Sequence, residues 1–582
     1  MFRKRLEEEN IPEQLVELIS RMIPGSKGEE LGDAYQYAGM YPPITKQSLS
    51  ELDIQNIINN IKLRHDVNFD RDLSFRPNLD GVKGQEKLRA AKRYWDALVA
   101  ELELYARLFQ GSPSLCNSKN LNWPALAQHA QRRIPLMFET IQEVLKSLVP
   151  DRDQSRVDEH LDVAMLMQEI EKGVCDLVRL SEWMSHLLKE HCAPMRDDWV
   201  DKMVEWTRSG VSENSSESIV KGLRELLGIL EAMKLDVANH QIRNLRGLLI
   251  EDTINFERNY HLGRIVQGRG GINVEAAQQW YASELQRLRK PCTPQKDALR
   301  FQLEIFVRAV VSILFSNDPC CDFPETFYLD QDRLRALKAE LHDLVCYEIC
   351  FDMFGQLLKG LCYHGPISHT TRHNLRTSLS AIMGEGAGHG VSQWMVNCEN
   401  ISLELVRHAL HTSGCQPNYD LDLIHKANKH LHKMFLNSFP EHAFILEESI
   451  LPQVLSCINK NLHASPIDIF NTLVPPSNPP PPPPPSQSSV SVLHITSDTL
   501  SPQPEPFTDL ASRVTHIILL HWRTWGPLVY VLPQDESMST SEMSEETQPK
   551  PQHPTLPRPP VEEDALAALT VVVTTVPEAS HL

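Results

Sequence analysis

The chain has 582 residues, a net charge of −19, 41 % hydrophobic and 23 % charged residues. This balance is ordinary for a soluble globular protein, and the acidic excess repels phosphate backbones, which argues against nucleic acid as a partner. The densest basic cluster, Phe2–Arg5, is followed at once by Glu7–Glu9, which also argues against a mitochondrial presequence.

No secretory signal opens the chain, and its twelve cysteines follow no regular spacing. Reduced thiols in the cytoplasm or nucleus are therefore expected. The most apolar stretch, Val514–Leu532, is interrupted by His516, His521, Arg523 and Pro527. A membrane-spanning helix needs about 20 mostly apolar residues, so this stretch predicts a buried helix followed by a turn, and no transmembrane segment.

Helical periodicity runs through most of the chain, and alternating strand patterns are scarce. The fold class expected is all-α: an extended multi-helix bundle or irregular helical array. Residues 1–41 read as an N-terminal helical extension. A capping box from Ser48 to Glu51 predicts the next helix start. Further helical runs are predicted over 84–109, 124–148, 155–191, 197–208, 216–264, 274–289, 297–315, 332–362, 372–383, 392–411, 420–437 and 441–461. Within 155–191, Val163, Met167, Ile170, Val174 and Leu177 fall at heptad-like spacing. Core is the first reading of such a stripe and a partner's groove the second. There is no fixed-length repeat, so a regular solenoid is not supported.

Two segments depart in composition. Residues 475–506 include seven consecutive prolines, Pro479–Pro485, which favour extended polyproline II and cannot continue a helix. They predict a disordered insertion, by default a solvated loop, with profilin-, SH3- or WW-type domains as the partners such a tract fits. Helical character returns at 507–525, predicting a last helix packed back onto the core. Residues 533–582 are Ser-, Glu- and Pro-rich, as in a disordered acidic tail, although the apolar patch Ala565–Val576 breaks that composition. The expected organisation is an extension over 1–41, one helical domain over 42–532 carrying the insertion 475–506, and a tail over 533–582.

Catalytic motifs are absent. No phosphate-binding loop G-x-x-x-x-G-K-[ST], protein-kinase signature or G-x-S-x-G elbow occurs, and the glycine-rich links Gln267–Gly271 and Gly384–Gly390 follow helices rather than strands. The strongest metal candidates are Cys346, Cys350, Cys362, His364, His369 and His373. These are zinc-ligand types, and a metal-dependent enzyme or zinc-stabilised protein centred on Cys346–His373 is the alternative reading of the chain. The set lacks a close Cys-x-x-Cys element, so helix-buried cysteines and loop histidines account for it better. No cofactor is expected.

The stretch Val237–Tyr260 has no proline and a mixed seam. At 100° per residue, Ile242, Leu245, Leu249, Thr253, Phe256 and Tyr260 share one stripe, and Gly247, Ile250 and Ile254 share a second. Arg246 and Glu257 edge the first stripe, about 16 Å apart on one helix. Both are expected to be mostly buried and paired with other helices, because an unpaired buried charge is costly.

Residues 229–258 also resemble the signature region of the T-complex protein 11 family. The resemblance rests on Met233, Asp236, Ala238, Asn239, Ile242, Leu245, Arg246, Leu249, Phe256, Glu257 and Arg258. Leu63–Asn78 looks like the family's opening segment and Arg513–Val531 like its closing helix, so the likeness spans about Pro42 to Leu532. His240 departs from the aromatic residue that many relatives carry there. The family is all-helical and has no established catalytic residues. Its yeast member is known as a suppressor of defects in cyclic-AMP-dependent protein kinase signalling, and its mammalian sperm member is linked to cyclic-AMP signalling. The resemblance implies a non-enzymatic regulator or scaffold that binds signalling proteins of the protein kinase A pathway.

Overall fold

Apolar residues at three- and four-residue spacing give helices one buried stripe each, and here those stripes close on two neighbouring cores. A computed structural model describes residues 11–23, 25–76, 79, 81–109, 130, 132–268, 271–288, 298–318, 321–384, 390–414, 421–475 and 507–531. Among them every regular element is helical, as the periodicity predicts. The proline run and the residues from 532 onward lie outside the described residues.

The first core is built by α1 (Ile11–Met22), α2 (Ser26–Tyr37) and α3 (Lys46–Leu49), then, after α4 (Ile54–Asn59) and α5 (Ile61–Asp66), whose Ile57 and Leu63 form a small separate cluster with Ala238 and Ile242, by α6 (Val82–Phe109), α7 (Arg133–Leu148), α8 (Asp151–His160), α9 (Val163–Glu171), α10 (Leu177–His191), α11 (Asp197–Ser212) and α12 (Ser216–Glu251). Leu15, Tyr35, Leu98, Ile141, Leu187 and Leu227 lie at its centre. The N-terminal helices α1 and α2 are thus part of this core, packed against α6, rather than appended to it. Helices α11 and α12 approach closely: a Cβ on Gly222 would stand 2.5 Å from Thr207 Oγ1, so glycine permits their separation.

The second core is built by α13 (Thr253–Val266), α14 (Val274–Leu288), α15 (Ala298–Phe315), α16 (Gln331–Gly360), α17 (His369–Met383), α18 (Val391–Val396), α19 (Cys398–Ser413), α20 (Leu421–Asn437), α21 (Phe439–Asn461), α22 (Pro466–Leu473) and α23 (Thr508–Trp525). Phe306, Ile349, Leu405, Val454 and Ile518 are buried in it. Helix α23 packs on α21, α13 and α22 and buries most of its length. The 36-residue α12 leaves the first core and reaches the second; at 1.5 Å per residue it is about 54 Å long.

Several helix starts and breaks differ from the sequence expectation. The capping box lies at Thr45 and Ser48, three residues before the expected one, and Asp53 then separates α4 from the 3-10 turn Ser50–Leu52. The run 155–191 is three helices, because Asp162 and Asp176 each cap a new start and Gly173 adopts a left-handed φ of 65°. The heptad-like stripe therefore does not continue: Leu166 and Met167 are buried in the core, and Val174 is exposed outside any helix.

Charge lies deep in the first core at Glu101 and Arg133. Glu101, fully buried, accepts the backbone N–H groups of Arg132, Arg133 and Ile134, the free donors at the start of α7. Arg133, also buried, donates to the carbonyls of Tyr35, Ala38 and Gly39 at the end of α2, and its Nη1 lies 3.6 Å from Glu101 Oε2. One ion pair thus satisfies two helix ends. Arg133→Ala should lower stability by about 3–5 kcal/mol, because it strands a buried carboxylate; the measurement is the urea unfolding midpoint. A loss under about 1 kcal/mol, the worth of an exposed pair, would contradict the assignment.

Candidate functional site

The two cores meet at a polar joint built from three distant segments. Helix α5 carries Arg64 and His65, and both are buried. His65 Nδ1 lies 2.9 Å from Glu257 Oε1 on α13, and Nε2 lies 2.9 Å from Asp330 Oδ1 at the start of α16. His65 is 3 % exposed and both carboxylates are 2 % exposed. Burial alone would lower the imidazole pKa, but the attraction and hydrogen bonds of Asp330 and Glu257 outweigh it and push it up to about 10. His65 is an imidazolium donating from both nitrogens. Asp330 is held below the usual carboxylate range by His65 and Arg333, against the upward push of burial.

A second ring of contacts steadies this triad. Arg64 donates to Asp252 at 2.7 Å and lies over the Phe256 ring. Arg333 donates to Asp330 and Asp66 and lies over Phe69. Asn68 donates to the carbonyls of Arg64 and His65 and to Thr253 Oγ1. Thr524 of α23 donates to Glu257 Oε2 at 3.4 Å. His516 and His521 pack beside the joint, against Phe69 and Phe327. Burial lowers each to about 3, so both are neutral. Buried His261, lowered to about 4 by burial and by the charges of His65 and Arg264, stacks on Trp525.

The expected single helix over 216–264 is interrupted here. Thr253 Oγ1 donates to the Leu249 carbonyl at 2.6 Å, and such back-bonding bends helices. Helix α12 stops at Glu251 and α13 starts at Thr253. The bend re-aims the stripe. Ile242, Leu245, Leu249 and Thr253 are buried as the 100° wheel requires, but beyond the bend the buried face is Thr253, Glu257 and His261, with Phe256 and Tyr260 only partly covered.

Glu257 is accordingly buried and paired across to α5. Arg246 differs from expectation: it is half-buried, its Nη1 donates to the carbonyl of Arg71 in the loop after α5, and its charge faces Asp70 and Asp72 rather than a carboxylate on another helix. Loop carbonyls are the nearest acceptors because residues 67–75 lie over α12 at this level. Asn239 confirms that placement, taking the Phe75 N–H at 2.6 Å and donating to the Phe75 carbonyl. Arg258 donates to the Arg523 carbonyl at the end of α23. Two arginines that sequence reasoning did not single out then close helix ends. Arg71 donates to carbonyls of Phe470, Asn471, Val474 and Pro475 at the end of α22. Arg523 donates to those of Asn461, Leu462 and Ala464 at the end of α21.

The metal candidates are not brought together. Cys346 and Cys350 face the second core from α16, with burial pushing both thiols up. Cys362, His364, His369 and His373 are exposed. Among the described residues, no group of three or more histidine, cysteine, aspartate or glutamate side chains has metal-binding geometry, and no helix is long and apolar enough to cross a membrane.

The opening segment, the signature helices and the closing helix therefore touch one another at the joint. The family model described as T-complex protein 11 matches residues 63–532. The chain belongs to the T-complex protein 11 family. It is 31 % identical to Protein SOK1 of Saccharomyces cerevisiae over 377 residues, covering 63 % of this chain and 40 % of that one. Against the human T-complex protein 11 homolog it is 26 % identical over 229 residues, covering 36 % and 43 %, and against mouse T-complex protein 11 it is 25 % identical over 296 residues, covering 46 % and 50 %. The matches thus span half or less of each relative's length. No solved structure matches.

The joint of this family member is closed by its own pairs. Both nitrogens of His65 are occupied, so neither is available to take a proton from a substrate. The linkage to stability has two arms. An unfolded imidazole titrates near 6.5, so the contribution of His65 is complete below about pH 6.5 and is lost as pH rises through about 10. His261, His516 and His521 act in the opposite sense: the folded state keeps them neutral, so stability falls as pH drops below about 6.5 towards 4 and 3. The urea midpoint should peak near neutrality, and His65→Gln should flatten the alkaline arm. An unchanged alkaline arm in that variant would remove His65 as its cause.

Proposed function

We propose that this chain is a non-enzymatic helical scaffold or regulator in cyclic-AMP-dependent protein kinase signalling. The observation that carries the reading is where the family signature lies. Asn239, Arg246, Glu257 and Arg258 each bond to backbone or to the sealed His65 joint, which suits a rigid platform better than a reaction site. Family membership and the 31 % identity to the yeast protein support the choice of pathway. The partners proposed are signalling proteins of that pathway, met in the cytoplasm or nucleus. The proline run adds a docking segment for profilin-, SH3- or WW-type domains.

Affinity capture of the tagged chain at its native expression level tests this. Subunits or regulators of the kinase should be recovered, and loss of the chain should change growth when kinase activity is limiting. Recovery of no pathway component, together with no genetic interaction, would refute the assignment.

A further inference from the structure

Helix α20 runs against the charge of the molecule. In a chain of net charge −19, α20 carries Lys426, Lys429, Lys433, His425, His430 and His432 against one acid, Asp422. All six basic side chains are exposed, while Ala427, Leu431, Met434 and Phe435 form the buried face. The bases are spread at helical spacing, so no run in the sequence marks them.

Beside this face, α16, α19 and α20 enclose a groove of about 310 Å³. Its floor is apolar: Met353, Leu357, Val406, Ala409, Leu423 and Ala427. Its rim is polar, with Lys426 and with His430 bonded to Gln356 at 2.9 Å. Apolar walls with a few placed polar groups at this volume are the usual form of a binding pocket.

We propose that this groove docks an acidic amphipathic helix of a partner protein. Apolar side chains one turn apart on the partner fill the groove, and its carboxylates meet Lys426, Lys429 and Lys433. Charge complementarity selects such a partner, because this face attracts carboxylates in a chain that is acidic as a whole. A bilayer is planar and does not enter a concave groove. Nucleic-acid bases stack on broad aromatic side chains, and the groove lining has no Phe, Tyr or Trp. The proposal rests on the scaffold reading only in taking the ligand to be a protein.

The test uses the full chain and a fluorescent designed helical peptide with leucine at i, i+4 and i+7 and glutamate elsewhere, read by anisotropy. The acidic peptide should bind, and the same peptide with lysine in place of glutamate should not. Lys426→Glu/Lys429→Glu/Lys433→Glu should weaken binding by about tenfold or more and remove its salt dependence. Gly360 lines the groove and a Cβ there meets nothing within 4 Å, so Gly360→Trp should fill the groove without disturbing the fold and also weaken binding. All altered residues are exposed, and matched unfolding midpoints check that the variants are folded. No saturable binding of the acidic peptide, equal binding of the lysine peptide, or full binding by either variant would overturn the proposal. So would equal affinity for phosphatidylserine vesicles or a single-stranded oligonucleotide, which would make the face a general anion surface. If the peptide binds but capture recovers no kinase-pathway protein, the groove stands and the signalling reading falls. If capture succeeds while the peptide fails, the reverse holds.

Discussion

One imidazolium held between two carboxylates organises this molecule. His65, Glu257 and Asp330 are separated in sequence by 192 and 265 residues, yet meet at 2.9 Å. Each charge loses its water on burial, at a cost of several kcal/mol per ion. That cost is offset only where every charge keeps its partners, and here the surrounding groups supply them. Arg333 shares Asp330, and Thr524 reaches the second oxygen of Glu257. The opening segment, the signature helix and the closing helix must all be in place before the joint is complete.

Directional bonds do here what apolar packing cannot. Leucine and isoleucine stripes press helices together but leave their rotation and sliding loosely set, whereas a hydrogen bond fails within an ångström of misplacement. Thr253 bends the α12–α13 line so that Glu257 and His261 turn inward. Arginines then tie helix ends to neighbouring segments: Arg133 at the end of α2, Arg71 at α22 and Arg523 at α21. The guanidinium presents five donors in a fixed fork, so one side chain satisfies several terminal carbonyls that would otherwise be left unpaired.

Such a design separates holding from binding. The residues that carry the family likeness are buried or half-buried, where their loss acts through folding. The basic face of α20 beside its groove is instead a feature of the surface.

Much of this was legible in the sequence. The helical class follows from apolar spacing alone, because a helix repeats every 3.6 residues whatever surrounds it. The burial of Ile242, Leu245 and Leu249 follows from the same rule. So does the need of Glu257 for a partner on another helix, since a buried carboxylate must be paired. The identity of that partner does not: His65 stands 192 residues away, and nothing local distinguishes it from any histidine. The bend at Thr253 was equally hidden, because threonine also sits in straight helices. Arg246 shows the remaining limit. Its charge demanded a partner, but only the path of residues 67–75 over α12 decided that the partner is the Arg71 carbonyl rather than a carboxylate. The sequence determined which side chains must be inside and which need partners, since those are properties of the residue and its helical phase. The tertiary structure decided who the partners are, since that depends on which distant segments the chain brings together.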